Sequence, residues 1–180
     1  MKKALIFLTT GFEEVEALGT VDILRRGGVE VRTVSLVETK IVESSHGVPV
    51  VADLMFSEAG FLTSDILVVP GGTPKYNEHE GLKREIKTFY DKGKPIAAIC
   101  AAPMVFGTMG LLKGKRATCY PGFEKYLEGA TLETDKAVVV DGNIITGRGP
   151  GLTFDFALQL LEILEGKSKK EEVAKALLLM

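Results

Sequence analysis

The amino-acid sequence predicts one α/β domain over residues 1–180, built on a doubly wound, mostly parallel sheet with helices on both faces. Two observations carry this prediction. Short apolar runs rich in β-branched residues alternate with helical patterns, the arrangement that βαβ units produce. Three of those runs, Ala4 to Leu8, Ile66 to Val69 and Ile96 to Ile99, are apolar on both alternating faces, as strands covered by helices on both sides must be.

Taken in chain order, Ala4 to Leu8 is the first strand, and Glu14 to Arg26, with apolar residues three and four apart, is the first helix. Gly27-Gly28 stops that helix before a second strand at Val29 to Leu36. Ile41 to Ala52 holds two short extended runs around Ser44-Ser45-His46-Gly47 and reads as a hairpin. Strands at Ile66 to Val69 and Pro95 to Ile99 flank a helix at Leu82 to Lys92, and a further helix is expected at Ala102 to Leu112. Ala137 to Thr146 folds back about Asp141-Gly142 as a second hairpin, and Thr153 to Glu165 is the last long helix. Both hairpins are expected as antiparallel additions at the sheet's edges.

Composition narrows the function. With 180 residues, 46% of them hydrophobic, the chain can bury a core without disulfides or a structural metal. Its 22 basic and 24 acidic side chains leave no field to gather a polyanion, so nucleic acid is not expected as the main partner. Two cysteines make no disulfide framework and two histidines no cluster at zinc-ligand spacing, which points to a reduced, cytoplasmic compartment and to no metal. The Met1-Lys2-Lys3 start resembles a signal peptide, but its apolar run is too short and meets Glu13-Glu14. No apolar stretch approaches the roughly 20 residues that span a bilayer, so no membrane association is expected.

The segment from Lys94 to Met104 is the most informative, because a buried strand runs into Cys100 and a helix begins at once. Such a turn crowds the positions two before and two after its apex, where hydrolase elbows of the G-x-S-x-G type use glycine. Ala98 and Ala102, the next smallest choice, stand there, and Pro103 suits the first helical turn. Cys100 is thereby expected at the carboxyl end of a central strand, where open α/β sheets place ligands. A free cysteine has a pKa of about 8.5, and a helix N-terminus lowers it to roughly 3.5 to 7.5, so a largely thiolate Cys100 is expected at neutral pH. The alternative is a small buried apolar side chain, as most cysteines are. That is the expectation for Cys119, which lacks the elbow.

Leu8 to Ala17 is another strand, loop and helix, so its loop should meet the cysteine turn. Glu13 and Glu14 oppose the helix dipole favourably without any function. Glu16 shares a helical stripe with Gly19, Thr20 and Ile23 that could lie against the sheet, where burial would keep its carboxyl protonated. The same residue reads equally well as a solvated surface glutamate. Gly71 and Gly72 end the Val68-Val69-Pro70 strand and let the backbone approach a ligand, so the amides of Gly72 and Ala101 could form an oxyanion hole. A plain Pro-Gly turn explains the same residues. The turn Gly147-Arg148-Gly149-Pro150-Gly151 lacks the spacing of a dinucleotide fingerprint or phosphate-binding loop, so no nucleotide and no other cofactor is expected.

Four motifs, Gly11-Phe12-Glu13-Glu14-Val15-Glu16, Val69-Pro70-Gly71-Gly72, Ala97-Ala98-Ile99-Cys100-Ala101-Ala102-Pro103 and Arg148-Gly149-Pro150-Gly151, run in order through nearly the whole chain. Together they closely resemble the ThiJ/PfpI superfamily, and within it the DJ-one branch. The resemblance implies a flavodoxin-like fold related to class I glutamine amidotransferases, and a homodimer. It implies that Cys100 is an oxidisable nucleophile, that Glu16 is a protonated carboxyl bonded to it, and that Gly72 and Ala101 are backbone donors. It also brings the partner subunit to the site, making Arg26 and His46 candidate neighbours of Cys100 across the dimer, and Gly71, Tyr120, Arg148 and Pro150 are further candidate neighbours of the site. Two departures stand out. Ala101 replaces the histidine that follows the cysteine in the peptidase-like branch, and Tyr120 replaces a histidine of the animal members.

For function, the resemblance implies a cofactor-free enzyme acting on small reactive carbonyls. It would convert methylglyoxal to lactate as a type III glyoxalase does, or deglycate amino acids and proteins, in defence against carbonyl and oxidative stress. A redox sensor or stress chaperone switched by oxidation of Cys100 would use the same residues, because sulfenic and sulfinic acids form on exposed thiolates. A peptidase or amidase is the third reading.

Overall fold

A computed structural model describes residues 1–179. Its strands are β1 (Lys3–Leu8), β2 (Glu30–Ser35), β3 (Ile41–Glu43), β4 (Pro49–Val51), β5 (Leu54–Met55), β6 (Ile66–Val69), β7 (Ile96–Ile99), β8 (Arg116–Ala117), β9 (Thr131–Leu132), β10 (Val138–Asp141) and β11 (Ile144–Gly147). The helices are α1 (Glu14–Arg26), α2 (Glu80–Asp91), α3 (Pro103–Thr108), α4 (Thr153–Glu165) and α5 (Lys167–Ala176).

Strand pairing follows from burial on both faces. Leu5 and Phe7 of β1, Leu67 and Val69 of β6, and Ile96 and Ala98 of β7 pack with α2 and α3 residues such as Leu82, Ile86 and Phe106. The alternating residues Ala4, Ile6, Ile66, Val68, Ala97 and Ile99 pack on the other face with Ile23 and Leu24 of α1, Phe156 and Leu160 of α4, and Val173 of α5. A strand reverses side with each residue, so an unbroken apolar run serves two cores at once. The seven strands lie in the order β10-β11-β7-β6-β1-β2-β5, with every pair parallel except β10 with β11. Among them, β1, β2, β6, β7 and β11 take the 2-1-3-4-5 order of flavodoxin-like sheets. The order reverses between β1 and β6, and a crevice at the carboxyl ends of the strands belongs there.

Two expectations need correction. The hairpin at Ile41 to Ala52 forms as β3 with β4, but as a separate two-stranded sheet rather than an edge of the large one. The edge beside β2 is taken by β5, and the hairpin instead meets the loop after β1 through a bridge between Phe12 and Ser44. The helix expected from Ala102 to Leu112 is only six residues long. Gly107 packs so closely on the Tyr126 carbonyl that a Cβ would collide with it, and Gly110 leaves the helix at φ 73°. The second hairpin does add an edge, with β10 antiparallel on β11. No helix among the described residues is long and apolar enough to cross a membrane.

Candidate active site

The loops after β1, β6 and β7 converge at the reversal point. Cys100 caps β7 with φ 66°, one of two non-glycine residues with positive φ among those described. Such a conformation costs on the order of 1–3 kcal/mol and persists only where its surroundings impose it. They do so here through the backbone: Cys100 N donates to Gly147 O at 3.0 Å, and Cys100 O accepts from Tyr120 N at 2.8 Å. The elbow read from Ala98 and Ala102 is therefore real, and it leaves the side chain 8% exposed at the sheet's carboxyl end.

Glycine at positions 71 and 72 follows from the same crowding. A Cβ on Gly71 would lie 2.6 Å from Cys100 Cβ and 2.8 Å from Glu16 Oε2, so its absence lets cysteine and carboxyl close on one point. Gly72 has φ 96°, and a Cβ there would strike the Glu13 amide and the Gly11 carbonyl.

Glu16 resolves to the buried alternative, at 1% exposure. Its Oε2 accepts from Gly71 N at 2.7 Å, Oε1 has no hydrogen-bond partner among the described residues, and the carboxyl and Cys100 close on the same point over Gly71. Two further bonds hold its turn of α1: Glu16 N donates to Glu13 Oε2 at 2.7 Å and Thr20 Oγ1 donates to Glu16 O at 2.7 Å. Burial raises the Glu16 pKa to about 7, against the lowering effect of the Gly71 amide and Cys100.

Electrostatics correct one expectation. Burial pushes the Cys100 thiol up, the charge of Glu16 pushes it further, and the amides of Ala101 and Gly72 pull it down. A short helix beginning at Pro103 does not by itself make this cysteine a thiolate. The charge of Glu16 opposes a thiolate, so a protonated Glu16 carboxyl favours one while burial still acts against it.

The remaining predicted residues divide. Tyr120, Arg148 and Pro150 lie together beside the Cys100 turn, lining a cavity of about 320 Å³. Arg26 sits at the far end of α1 from Glu16 and pairs with Asp22 at 2.8 Å. His46 is a hairpin residue whose Nδ1 lies 2.9 Å from Glu14 Oε1, and His79 caps α2 by accepting from Leu82 N at 2.9 Å. The chain therefore brings neither Arg26 nor either histidine to its own Cys100. Glu13, Glu14 and His46 place two carboxylates and an imidazole within 4.8 Å, a conceivable cation site, but each already has a protein partner.

With this geometry in view, comparison with known proteins identifies the lineage. Residues 2–163 match the DJ-1/PfpI family. The chain belongs to that family. Protein DJ-1 homolog B of Arabidopsis thaliana is 41% identical over 99% of this chain, which spans only 42% of that relative's length. The crystal structure of Drosophila melanogaster DJ-1beta superposes with a TM-score of 0.94 at 38% identity, covering 98% of this chain and 97% of that one. A Caenorhabditis elegans relative named glutathione-independent glyoxalase DJR-1.2 is 36% identical over 99% of this chain and 97% of its own. A Pyrococcus abyssi relative named deglycase PYRAB04690 is 32% identical over 91% of this chain and 99% of its own.

Within this DJ-1/PfpI frame, two supporting residues escaped the sequence reading. Tyr76 is wholly buried, and its hydroxyl donates to Phe7 O at 2.9 Å, pinning the end of β1 beneath Glu16. Nothing local marks it, since it lies in a polar Pro74–Glu78 turn. Glu13, read as a dipole-facing charge, proves to be the cap that holds the Glu16 amide.

Proposed function

We propose that this DJ-1/PfpI chain is a cofactor-free enzyme for reactive carbonyls, converting methylglyoxal to lactate without glutathione, with deglycation as a variant of the same chemistry. The observation that carries this reading is the buried Glu16 carboxyl, one oxygen fixed by Gly71 N and the group turned to Cys100 beside the amides of Gly72 and Ala101. The Cys100 thiolate adds to the aldehyde carbon, giving a hemithioacetal whose oxyanion the amides stabilise and which takes up a proton. Glu16, with a pKa near 7, is suited to move a proton between the adjacent carbons through an enediol. The resulting thioester of Cys100 is hydrolysed by one water, releasing lactate and the free thiol.

The names of the nematode and archaeal relatives, a glyoxalase and a deglycase, support both substrate classes. Amide hydrolysis is less well supported, because Glu14, Ser45 and the cap of α2 occupy the two histidines. Exposed Val15 and Leu18 on α1 and Ile41 and Val51 on the hairpin support the expected homodimer, whose partner would close over the site mouth.

The test is lactate formation from methylglyoxal without glutathione, for wild type, Cys100→Ser and Glu16→Gln. Wild type should form lactate and both variants should lose at least about 100-fold, the scale of lost nucleophilic or acid–base catalysis. Full activity in Glu16→Gln would overturn the mechanism. No turnover by wild type, together with ready sulfinate formation at Cys100 under peroxide, would replace the enzyme by the redox sensor.

A further inference from the structure

The cavity beside the Cys100 turn is built differently from the buried pair. Its walls are Tyr120, Pro121 and the turn at residues 148–152, and at about 320 Å³ it falls in the range of sites for ligands much larger than a three-carbon aldehyde. Both walls are tied to the nucleophile's backbone. Tyr120 N donates to Cys100 O at 2.8 Å, and Gly147, the residue before Arg148, accepts from Cys100 N at 3.0 Å. The Tyr120 ring lies close enough to Gly149 that a Cβ there would come within 3.1 Å of Cδ2. The turn itself is held by Leu152 N on Gly149 O at 3.0 Å and Thr153 Oγ1 on Pro150 O at 2.7 Å.

Arg148 is the one charged residue among those lining the cavity. It is half-buried, and among the described residues its guanidinium has no hydrogen bond or ion pair. Arg25, Arg26, Arg32 and Arg116 each pair with a carboxylate, and Arg84 is exposed to water. A partly desolvated cation without an anion is unfavourable until an anion arrives, and guanidinium presents a fork that suits carboxylate or phosphate.

We propose that this cleft is the subsite for the non-reacting part of the substrate, and that Arg148 selects carbonyl compounds carrying an anionic group a few atoms from the aldehyde. The inference rests on the carbonyl-enzyme reading for its reaction, and extends it by naming a substrate class: 2-oxoaldehydes bearing a carboxylate, ahead of neutral ones. Arg148 binds substrate and takes no part in bond making.

The discriminating pair is 4,5-dioxopentanoate and its neutral isopropyl counterpart, 5-methyl-2-oxohexanal. Wild type should favour the carboxylate by about tenfold in kcat/KM, the scale of one charge-assisted contact. Arg148→Met should abolish the ratio, and Arg148→Lys should restore part of it, with unchanged circular dichroism showing that both fold. A second measurement avoids chemistry: calorimetric binding of the inert ketones 4-oxopentanoate and 5-methylhexan-2-one to Cys100→Ser, with and without Arg148→Met. Turnover of both aldehydes without preference, or a preference kept in Arg148→Met, overturns the subsite and leaves the enzyme reading standing. Turnover of neither, with 4-oxopentanoate bound in preference through Arg148, overturns the enzyme reading and leaves the subsite standing. Neither turnover nor binding preference overturns both.

Discussion

Cys100 and Cys119 are both buried, at 8% and 3% exposure, and burial pushes both thiols up, Cys119 to about 12. They differ in what surrounds them. Cys119 has the Glu124 charge near it, which raises its pKa further, and no amide acting against that. Cys100 stands at φ 66° at the end of a central strand, with the Ala101 and Gly72 amides and a carboxyl that can hold a proton beside it. Burial alone produces an inert thiol; a nucleophile needs donors for its charge and a neighbour that gives up its own.

The largest test of this contrast tightens the junction of the loops after β1 and β6 that meet beside Cys100. Gly72→Ala adds a Cβ at φ 96° against two backbone groups, and should cost roughly 3–5 kcal/mol in urea unfolding, the upper tail for single substitutions. Gly122→Ala, three residues after Cys119 and also at positive φ (95°), meets nothing within 4 Å and should cost only about 1 kcal/mol. Equal losses would mean that the β1 and β6 loops beside Cys100 are no more closely packed than the turn after Cys119.

Next in size is the pH dependence that Glu16 imposes. Its carboxyl is raised from 4.5 to about 7 in the folded chain. Below 4.5 both folded and unfolded forms are protonated and its stability contribution is fully present. Between 4.5 and about 7 the unfolded chain loses the proton first, so stability falls as pH rises, by about 3 kcal/mol in all, and then levels. Glu16→Gln should remove that slope, which unfolding at pH 4.5 and pH 8 would show; a wild type with no slope would mean that the carboxyl is ionised throughout.

The smallest effect is expected at the other cysteine. Cys119→Ala should lower stability by about 1 kcal/mol, as loss of one small buried side chain does, with lactate formation within about twofold of wild type. A large loss of activity would end the distinction between the two thiols.

The sheet was legible in the sequence because strands buried on two sides must be apolar at every position, as Ala4 to Leu8, Ile66 to Val69 and Ile96 to Ile99 are. The elbow was legible because small residues flank its apex. Two-residue strands such as β5, β8 and β9 are too short to carry a period, and α5 is polar nearly all round, burying only Val173 and Ala174. Helix length after Cys100 was misjudged because the chain leaves the helix at Gly110, with φ 73°, before the apolar spacing that continues through Leu111 and Leu112 ends.

The sequence by itself determined the α/β class, the strand-turn-helix with Cys100 at its apex, and the small residues that such a turn requires. All of these depend on neighbours in the chain. The burial of Glu16, its closeness to Cys100, and the cleft between Tyr120 and Arg148 were decided only by tertiary structure. Each depends on desolvation and on groups supplied by separate loops, 55 residues apart in the case of Glu16 and Gly71. Local pattern does not encode how far a side chain is removed from water, and that distance from water sets the chemistry of this site.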